Sequence, residues 1–176
     1  FGDAGGVHPI IQADAASRRG LIQVLGRTTH FSRGNAVASK GQMTGMRGVY
    51  LTASELSRLG FIASPTSRSA AGADLLVTNH SCSAAFSVQV KTNARSFGFW
   101  LVGEKAQLLS SRSHIYVLVN IRPGKEDEVH EYFVVPSKAI AKLTQRYDRA
   151  DSTFYAVSRA AVEKYRDKWS VFGEPA

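Results

Sequence analysis

The sequence predicts a single α/β domain in which a mixed β-sheet is flanked by α-helices. Three observations lead to this fold class. A β-hairpin pattern joins residues 73–79 to residues 84–93 through a short polar turn. Residues 114–121 form a nearly continuous β-branched and apolar run, which is typical of a strand buried on both faces. Helical spacing of apolar residues precedes the hairpin and returns after the last predicted strand, so helices and sheet alternate along the chain.

Size and composition agree with one domain. The chain has 176 residues, of which 44% are hydrophobic, and this is enough for a sizeable core. Residues 1–44 are rich in small polar residues and arginine, so we expect a poorly structured segment or an arm. The domain proper is predicted to span residues 45–176. Because the chain starts at Phe1, we expect it to be a piece of a longer protein, with no secretory signal in this part.

The elements follow from local patterns in chain order. Val49, Leu56 and the apolar residues between them predict the first helix, and Gly60 suits its C-terminal end. A short strand begins at Phe61 and leads through a polar loop to the hairpin. The elements predicted after the hairpin are a short strand at 99–102, a brief helix at 104–109, the buried strand at 114–121, a returning strand at 130–135, a helix beginning at Pro136 or Ser137 and ending near Leu143, and a last helix at 158–168.

The second strand of the hairpin has one polar face. Val88 and Val90 point to one side because side chains alternate along a strand. The residues on the other side are Ser87, Gln89, Lys91 and Asn93.

A lysine and a glutamine are costly to bury in a central strand unless they meet partners or a solvent-filled cleft. Asp74, at the start of the neighbouring strand, is the obvious partner for Lys91 and Gln89. This pattern is typical of an active site. Simpler explanations stay open for single residues, since Asp74 after Gly72 suits a turn and Lys91 suits a strand end that emerges into water.

The charge of the chain favours a polyanionic partner. The formal net charge is +8, which is permissive for DNA binding without proving it. Residues 1–120 carry 12 basic and 5 acidic side chains, whereas residues 121–176 carry 10 and 9. The excess is therefore expected on the hairpin half of the chain and not on the C-terminal helices.

Several other classes of site lack their sequence signals. Cys82 is the single cysteine, so neither an internal disulfide nor a thiolate zinc site can form, and a cytoplasmic or other reducing intracellular location is compatible with this. The five histidines show no metal-binding spacing, no P-loop or nucleophile elbow is present, and no apolar run is long enough to cross a membrane.

The order of elements and the polar residues of the hairpin together resemble the PD-(D/E)XK nuclease superfamily, which includes restriction endonucleases and Holliday-junction resolvases. The resemblance covers about residues 45–169. In this family a helix carries an acid, an aspartate opens one hairpin strand, and an acid-x-lysine triplet lies on the next. Glu55 matches the helix acid, Asp74 matches the aspartate, and Gln89-Val90-Lys91 takes the place of the triplet. Gln89 departs from the usual acid, although Gln-x-Lys variants occur among type IV restriction nucleases.

The resemblance implies a Mg²⁺-dependent or Mn²⁺-dependent endonuclease that hydrolyses phosphodiester bonds in DNA. Asp74 and Glu55 would hold the metal, Gln89 and the backbone carbonyl of Val90 would assist, and Lys91 would act on the attacking water or the developing charge. Taken alone, Glu55 on an amphipathic helix is by default explained as a solvated charge. Many enzymes of this fold are dimers, which leaves a homodimer open.

Four further residues flank the predicted cleft in sequence and are candidates for contacts with DNA phosphates: Arg68, Asn93, Arg95 and Lys105. Surface charges without a partner are an equally good explanation of them. Two alternatives to the nuclease also remain. The first is a catalytically inactive nucleic-acid-binding module on the same fold, and the second is a protein-interaction domain with an acidic partner.

Overall fold

Helix α1, Lys40–Arg58, is the first element of the computed structural model, which describes residues 38–67, 72–94 and 98–174. Its start follows from the sequence, because Ser39 and Gln42 form a reciprocal capping box. Its end follows from Gly60, which takes a positive φ of 89° just after the helix. Residues 1–37 of the predicted arm lie outside the described residues, and residues 40–44 form the first turn of α1.

The remaining elements largely follow the predicted order. The strands are β1 Ile62–Pro65, β2 Leu75–Thr78, β3 Ala85–Asn93, β4 Phe99–Leu101, β5 His114–Pro123, β6 Glu128–Pro136, β7 Gln145–Arg149 and β8 Ser152–Ser158. The later helices are α2 Lys105–Leu108, α3 Ser137–Leu143 and α4 Arg159–Val162, followed by two short 3-10 helices, Glu163–Tyr165 and Trp169–Phe172.

Five of the strands form a mixed sheet in the order β1-β2-β3-β5-β6. All neighbours are antiparallel except β3 and β5, which are parallel. The predicted hairpin is therefore confirmed as β2 and β3, and β5 is central, with residues 114–121 all buried. A parallel pair needs a long crossover, which β4 and α2 supply.

The two faces of the five-stranded sheet each carry a hydrophobic core. On one face, Leu56 of α1 and Phe172 pack against Val88, Val90 and the alternate residues of β5. On the other face, Ile140 of α3 and Val162 of α4 pack in a cluster with Trp100 of β4 and Phe133 of β6. The sheet thus has cover on both faces, and the predicted fold class, a mixed sheet flanked by helices, is confirmed.

A second, three-stranded sheet was not predicted. It has the order β4-β8-β7 and is antiparallel throughout. The strand β7 escaped prediction because its five residues are all exposed and lack an apolar alternation. The last predicted helix is also shorter than expected: Ser158 caps α4, and the chain then tightens into the 3-10 helix at Glu163–Tyr165.

No helix among the described residues combines the length and the apolar character needed to span a bilayer.

Candidate active site

A cleft opens where β3 continues beyond its neighbour β2. The two strands pair only as far as Leu75 opposite Val88, whereas β3 continues to Asn93 with β5 alone at its side. The edge of β3 from Gln89 onward is therefore free of a strand partner on the hairpin side. The first half of α1 lies beside this edge and closes a cleft of about 600 Å³.

The cleft has three walls. The hairpin contributes Ala73, Asp74, Gln89, Val90 and Lys91. Helix α1 contributes Gln42, Gly45, Met46, Val49 and Tyr50, and the loop after β1 contributes Pro65, Thr66 and Ser67.

Asp74 is held at the point where the strands separate. Its backbone N–H donates to the carbonyl of Val88 at 2.7 Å, so it continues the hairpin by one residue. Its carboxylate oxygen Oδ2 accepts the backbone N–H of Val90 at 2.8 Å and the side-chain amide of Gln89. The side chain of Asp74 thus replaces the missing strand. Among the described residues, none donates a hydrogen bond to the second oxygen, Oδ1, which leaves it available to a ligand.

Gln89 and Lys91 lie on the strand face opposite to Val88 and Val90, as predicted. Both are half-buried, and both line the cleft. Lys91 also lines a smaller pocket against β4, so it stands between the two concavities. Within the described part of the chain, Lys91 forms no ion pair with a carboxylate.

The backbone of Val90 faces the same cleft. Its N–H points to the open edge, toward Asp74, and the carbonyl of a strand residue points to the same edge as its N–H. The valine side chain, in contrast, is buried in the core beneath α1. The structure therefore brings Asp74, Gln89, Lys91 and the Val90 carbonyl together.

Glu55 does not join this group. It lies near the end of α1, forms an ion pair with Arg58 at 2.8 Å, and does not line the cleft. The negative charge of Glu55 instead affects Tyr132 of β6. The pKa of Tyr132 is raised to about 12, mainly by burial and in addition by the charge of Glu55. The structure thus leaves Glu55 outside the cleft because the residues of α1 that face Asp74 lie earlier in the helix.

The four predicted DNA contacts have different positions. Arg68 and Arg95 lie outside the described residues. The side-chain amide of Asn93 donates to the carbonyl of Phe99 at 2.7 Å, so it ties β3 to β4. Lys105 is exposed at the start of α2 and does not line the cleft.

The donor atoms that line the cleft are of a kind that binds hard cations such as Mg²⁺. Asp74, Gln89 and the Val90 carbonyl offer oxygen donors, which are the ligands that Mg²⁺ prefers. No group of three or more acidic, histidine or cysteine side chains suited to a metal occurs among the described residues. Mg²⁺ is commonly held by one or two carboxylates, with waters and substrate phosphates completing its shell. The oxygen donors of these residues are therefore compatible with Mg²⁺ in kind, but they include only one carboxylate among the described residues that line the cleft.

The sequence analysis missed the wall that α1 contributes. Gln42, Met46 and Val49 recur at helical spacing and therefore lie on one face. Met46 and Tyr50 are also large apolar residues that stay exposed, at 40% and 58%. An apolar excess on the outer face of an amphipathic helix is the signal that would have found this wall.

The solved structures to which this chain is similar include two nucleases. No family model and no curated protein sequence matches the chain. A Holliday junction resolvase from the archaeon Archaeoglobus fulgidus aligns with 68% of this chain and 93% of its own, at 12% identity and a TM-score of 0.42. A bacterial homing endonuclease aligns with 77% of this chain and 91% of its own, at 14% identity and a TM-score of 0.45. At these identities the likeness concerns the arrangement of the chain and not individual residues.

Proposed function

We propose that the protein is a metal-dependent nuclease that hydrolyses phosphodiester bonds in DNA at the cleft between α1 and the β2–β3 hairpin. The observation that supports this most directly is the convergence of Asp74, Gln89 and Lys91 on the one edge of β3 that has no strand partner. A carboxylate and a lysine that line the same open cleft, with no ion pair to the lysine among the described residues, suit an anionic substrate that must be both bound and activated.

Each residue has a task in this proposal. Asp74, Gln89 and the Val90 carbonyl would hold Mg²⁺ or Mn²⁺ through their oxygen atoms. The bound ion supplies positive charge to the phosphate and lowers the pKa of water. Lys91 neutralises the charge that develops as water attacks phosphorus and a P–O ester bond breaks, or it orients that water.

The hydrogen bonds of Asp74 position its carboxylate before substrate arrives. Because the Val90 N–H and the Gln89 amide both donate to Oδ2, the carboxylate cannot turn freely. Such preorganisation lowers the cost of aligning the groups during the reaction.

A second function on the same fold has a specific observation in its favour. Asp74 is the one carboxylate among the described residues that line the cleft, since Gln89 stands where the resembled family has an acid and Glu55 lies elsewhere. A site with so little negative charge binds metal weakly. A non-catalytic nucleic-acid-binding module is therefore the alternative.

Cleavage assays separate the two functions. Supercoiled and branched DNA are incubated with the protein and Mg²⁺ or Mn²⁺, beside the isosteric variant Asp74→Asn and the variant Lys91→Gln. The nuclease requires metal-dependent cleavage that Asp74→Asn abolishes and that Lys91→Gln slows by about 10²–10⁴-fold. The matched controls Asp151→Asn and Lys125→Gln remove the same charges from exposed positions and should cleave like the wild type.

The outcomes are distinct. Cleavage that survives both cleft substitutions would reject the proposed site. Salt-sensitive DNA binding in chelator, with no cleavage under any metal and no calorimetric heat that depends on Asp74, would establish the binding module instead.

A further inference from the structure

Four lysines surround Tyr165 on the side of the sheet that α3 covers, and we refer to them as the lysine surface: Lys138, Lys142, Lys164 and Lys168. All four are exposed, whereas Tyr165 is half-buried against the core. Three of them line a shallow depression of about 390 Å³ together with Tyr165. This surface is distinct from the cleft, because the residues that line the depression and the residues that line the cleft do not overlap.

Local structure forces these lysines together. Lys138 and Lys142 are one turn apart on α3, on the side opposite to the buried Ile140. The 3-10 helix after α4 brings Lys164 and Lys168 beside the ring of Tyr165, with Nζ atoms 5.3 and 5.9 Å from its centroid. Cation–π contacts of this kind hold an ammonium group over a ring without neutralising it.

Two acids near this surface, Glu131 and Glu163, are engaged by arginines, whereas Asp167 beside Lys168 forms no ion pair among the described residues. Glu131 is bound by Arg122, Arg159 and Arg166, and Glu163 is bound by the last two. No lysine of residues 38–67, 72–94 and 98–174 forms an ion pair with a carboxylate. Among the described residues, the arginines thus pair with Glu131 and Glu163, and the four lysines of the surface form no ion pair.

We infer that the lysine surface binds the phosphate backbone of a nucleic acid at a position outside the cleft. Four like charges on two neighbouring elements repel one another. A polyanion that spans all four lysines reduces this electrostatic repulsion more than a single small anion does, because it places a negative charge near each of them. Lysine is a flexible point charge that suits backbone phosphates and does not read bases. The choice of a nucleic acid over another polyanion rests on the proposed function.

Salt-dependent binding tests this inference without metal. The affinity for a fluorescent DNA duplex is measured by anisotropy in chelator across a salt series, for the wild type and for the pairs Lys138→Gln/Lys142→Gln and Lys164→Gln/Lys168→Gln. Each phosphate contact contributes about 0.9 to the slope of log K against log salt, so each pair should lower the slope by about 2.

The matched control is the pair Arg112→Gln/Lys125→Gln, which removes the same charge from exposed residues without acidic partners. Its slope should equal that of the wild type. The inference would be overturned if the control pair lowered the slope of log K against log salt as much as the lysine pairs do. It would also be overturned if the lysine pairs left that slope unchanged. A third result would also overturn it: lysine-pair variants that bind DNA with unchanged affinity but no longer bind phosphatidylserine vesicles. The lysine surface would then bind anionic lipid and not nucleic acid. Because no metal or cleavage enters the measurement, its result is independent of whether the cleft is catalytic.

Discussion

Gly48 of α1 lies directly against Thr92 of β3. A Cβ placed on Gly48 would stand 1.8 Å from Thr92 Oγ1 and 2.8 Å from its Cβ, which no side chain tolerates. The absence of a side chain at Gly48 therefore sets how closely α1 approaches β3, and with it the depth of the cleft that begins one residue earlier on the strand, at Lys91.

Substitution of Gly48 should separate helix and strand. Gly48→Ala is expected to lower the free energy of unfolding by about 1–3 kcal/mol, because the core must shift to admit the methyl group. Gly45 in the same helix has no atom within 4 Å of a Cβ, so Gly45→Ala should instead raise it by about 0.5–1 kcal/mol through helix propensity. Urea denaturation of both variants measures the contrast, and equal stabilities would contradict the close approach.

Glu131 should contribute far more to the free energy of unfolding than an exposed glutamate such as Glu128. It accepts hydrogen bonds from Arg159 and Arg166 at 3.0 and 2.7 Å, it forms an ion pair with Arg122 at 3.0 Å, and 12% of its side chain is exposed. Burial opposes ionisation, but hydrogen bonds from Asn120 and Arg166 and the charges of Arg122 and Arg159 outweigh it, so the pKa of Glu131 is lowered. Glu131→Gln leaves three cations around a neutral group and should cost about 2–3 kcal/mol.

The control for this variant is Glu128→Gln. Glu128 pairs with Arg47 on the exposed end of β6, where solvent screens the interaction, so little change is expected. Similar unfolding midpoints for the two variants in guanidinium would show that the arginine cluster does not depend on Glu131.

His114 should make stability depend on pH. Burial lowers the pKa of His114, against the opposing effect of its hydrogen bond with Ser87. The unfolded chain, with a pKa of 6.5, therefore binds a proton more readily than the folded protein. The resulting stability is present in full above pH 6.5 and is lost as the pH falls from there through the lowered pKa of the folded state. Thermal unfolding at several pH values should show this loss in the wild type and a smaller one in His114→Gln; parallel pH profiles would refute the assignment.

Glu55 provides a direct test of the cleft geometry. Because Glu55 pairs with Arg58 outside the cleft, Glu55→Gln should leave Mn²⁺ binding and DNA cleavage at the wild-type level, whereas Asp74→Asn should remove both. Calorimetry and a plasmid cleavage assay measure the two effects. If Glu55→Gln lost metal binding, Glu55 would be a metal ligand after all, as the family resemblance implies.

Much of the fold was predictable because its signals are local. The hairpin, the buried strand β5 and the first helix each carry a periodicity and an end signal within a few residues, such as the capping box at Ser39 and the positive φ of Gly60. The strand β7 was not predictable, because all its side chains are exposed and no apolar pattern marks it.

The candidate site was predictable where strand geometry alone relates its residues. Asp74 and Gln89 face each other across a two-strand hairpin, so alternation and register suffice to pair them. The position of Glu55 could not be predicted in this way, because it depends on which turn of α1 contacts β3. The close approach of Gly48 and Thr92 decides that contact, and no local pattern encodes it.

By itself, the sequence determined which segments are helix or strand and which side chains share a strand face, because φ/ψ preferences and side-chain alternation act over a few residues. Only the tertiary structure decided that β3 outruns β2 and exposes an edge, that Glu55 stands apart, and that four lysines gather around Tyr165. These outcomes depend on distances between residues far apart in the chain, and such distances are set by the packing of helices on the sheet and not by any short stretch of sequence.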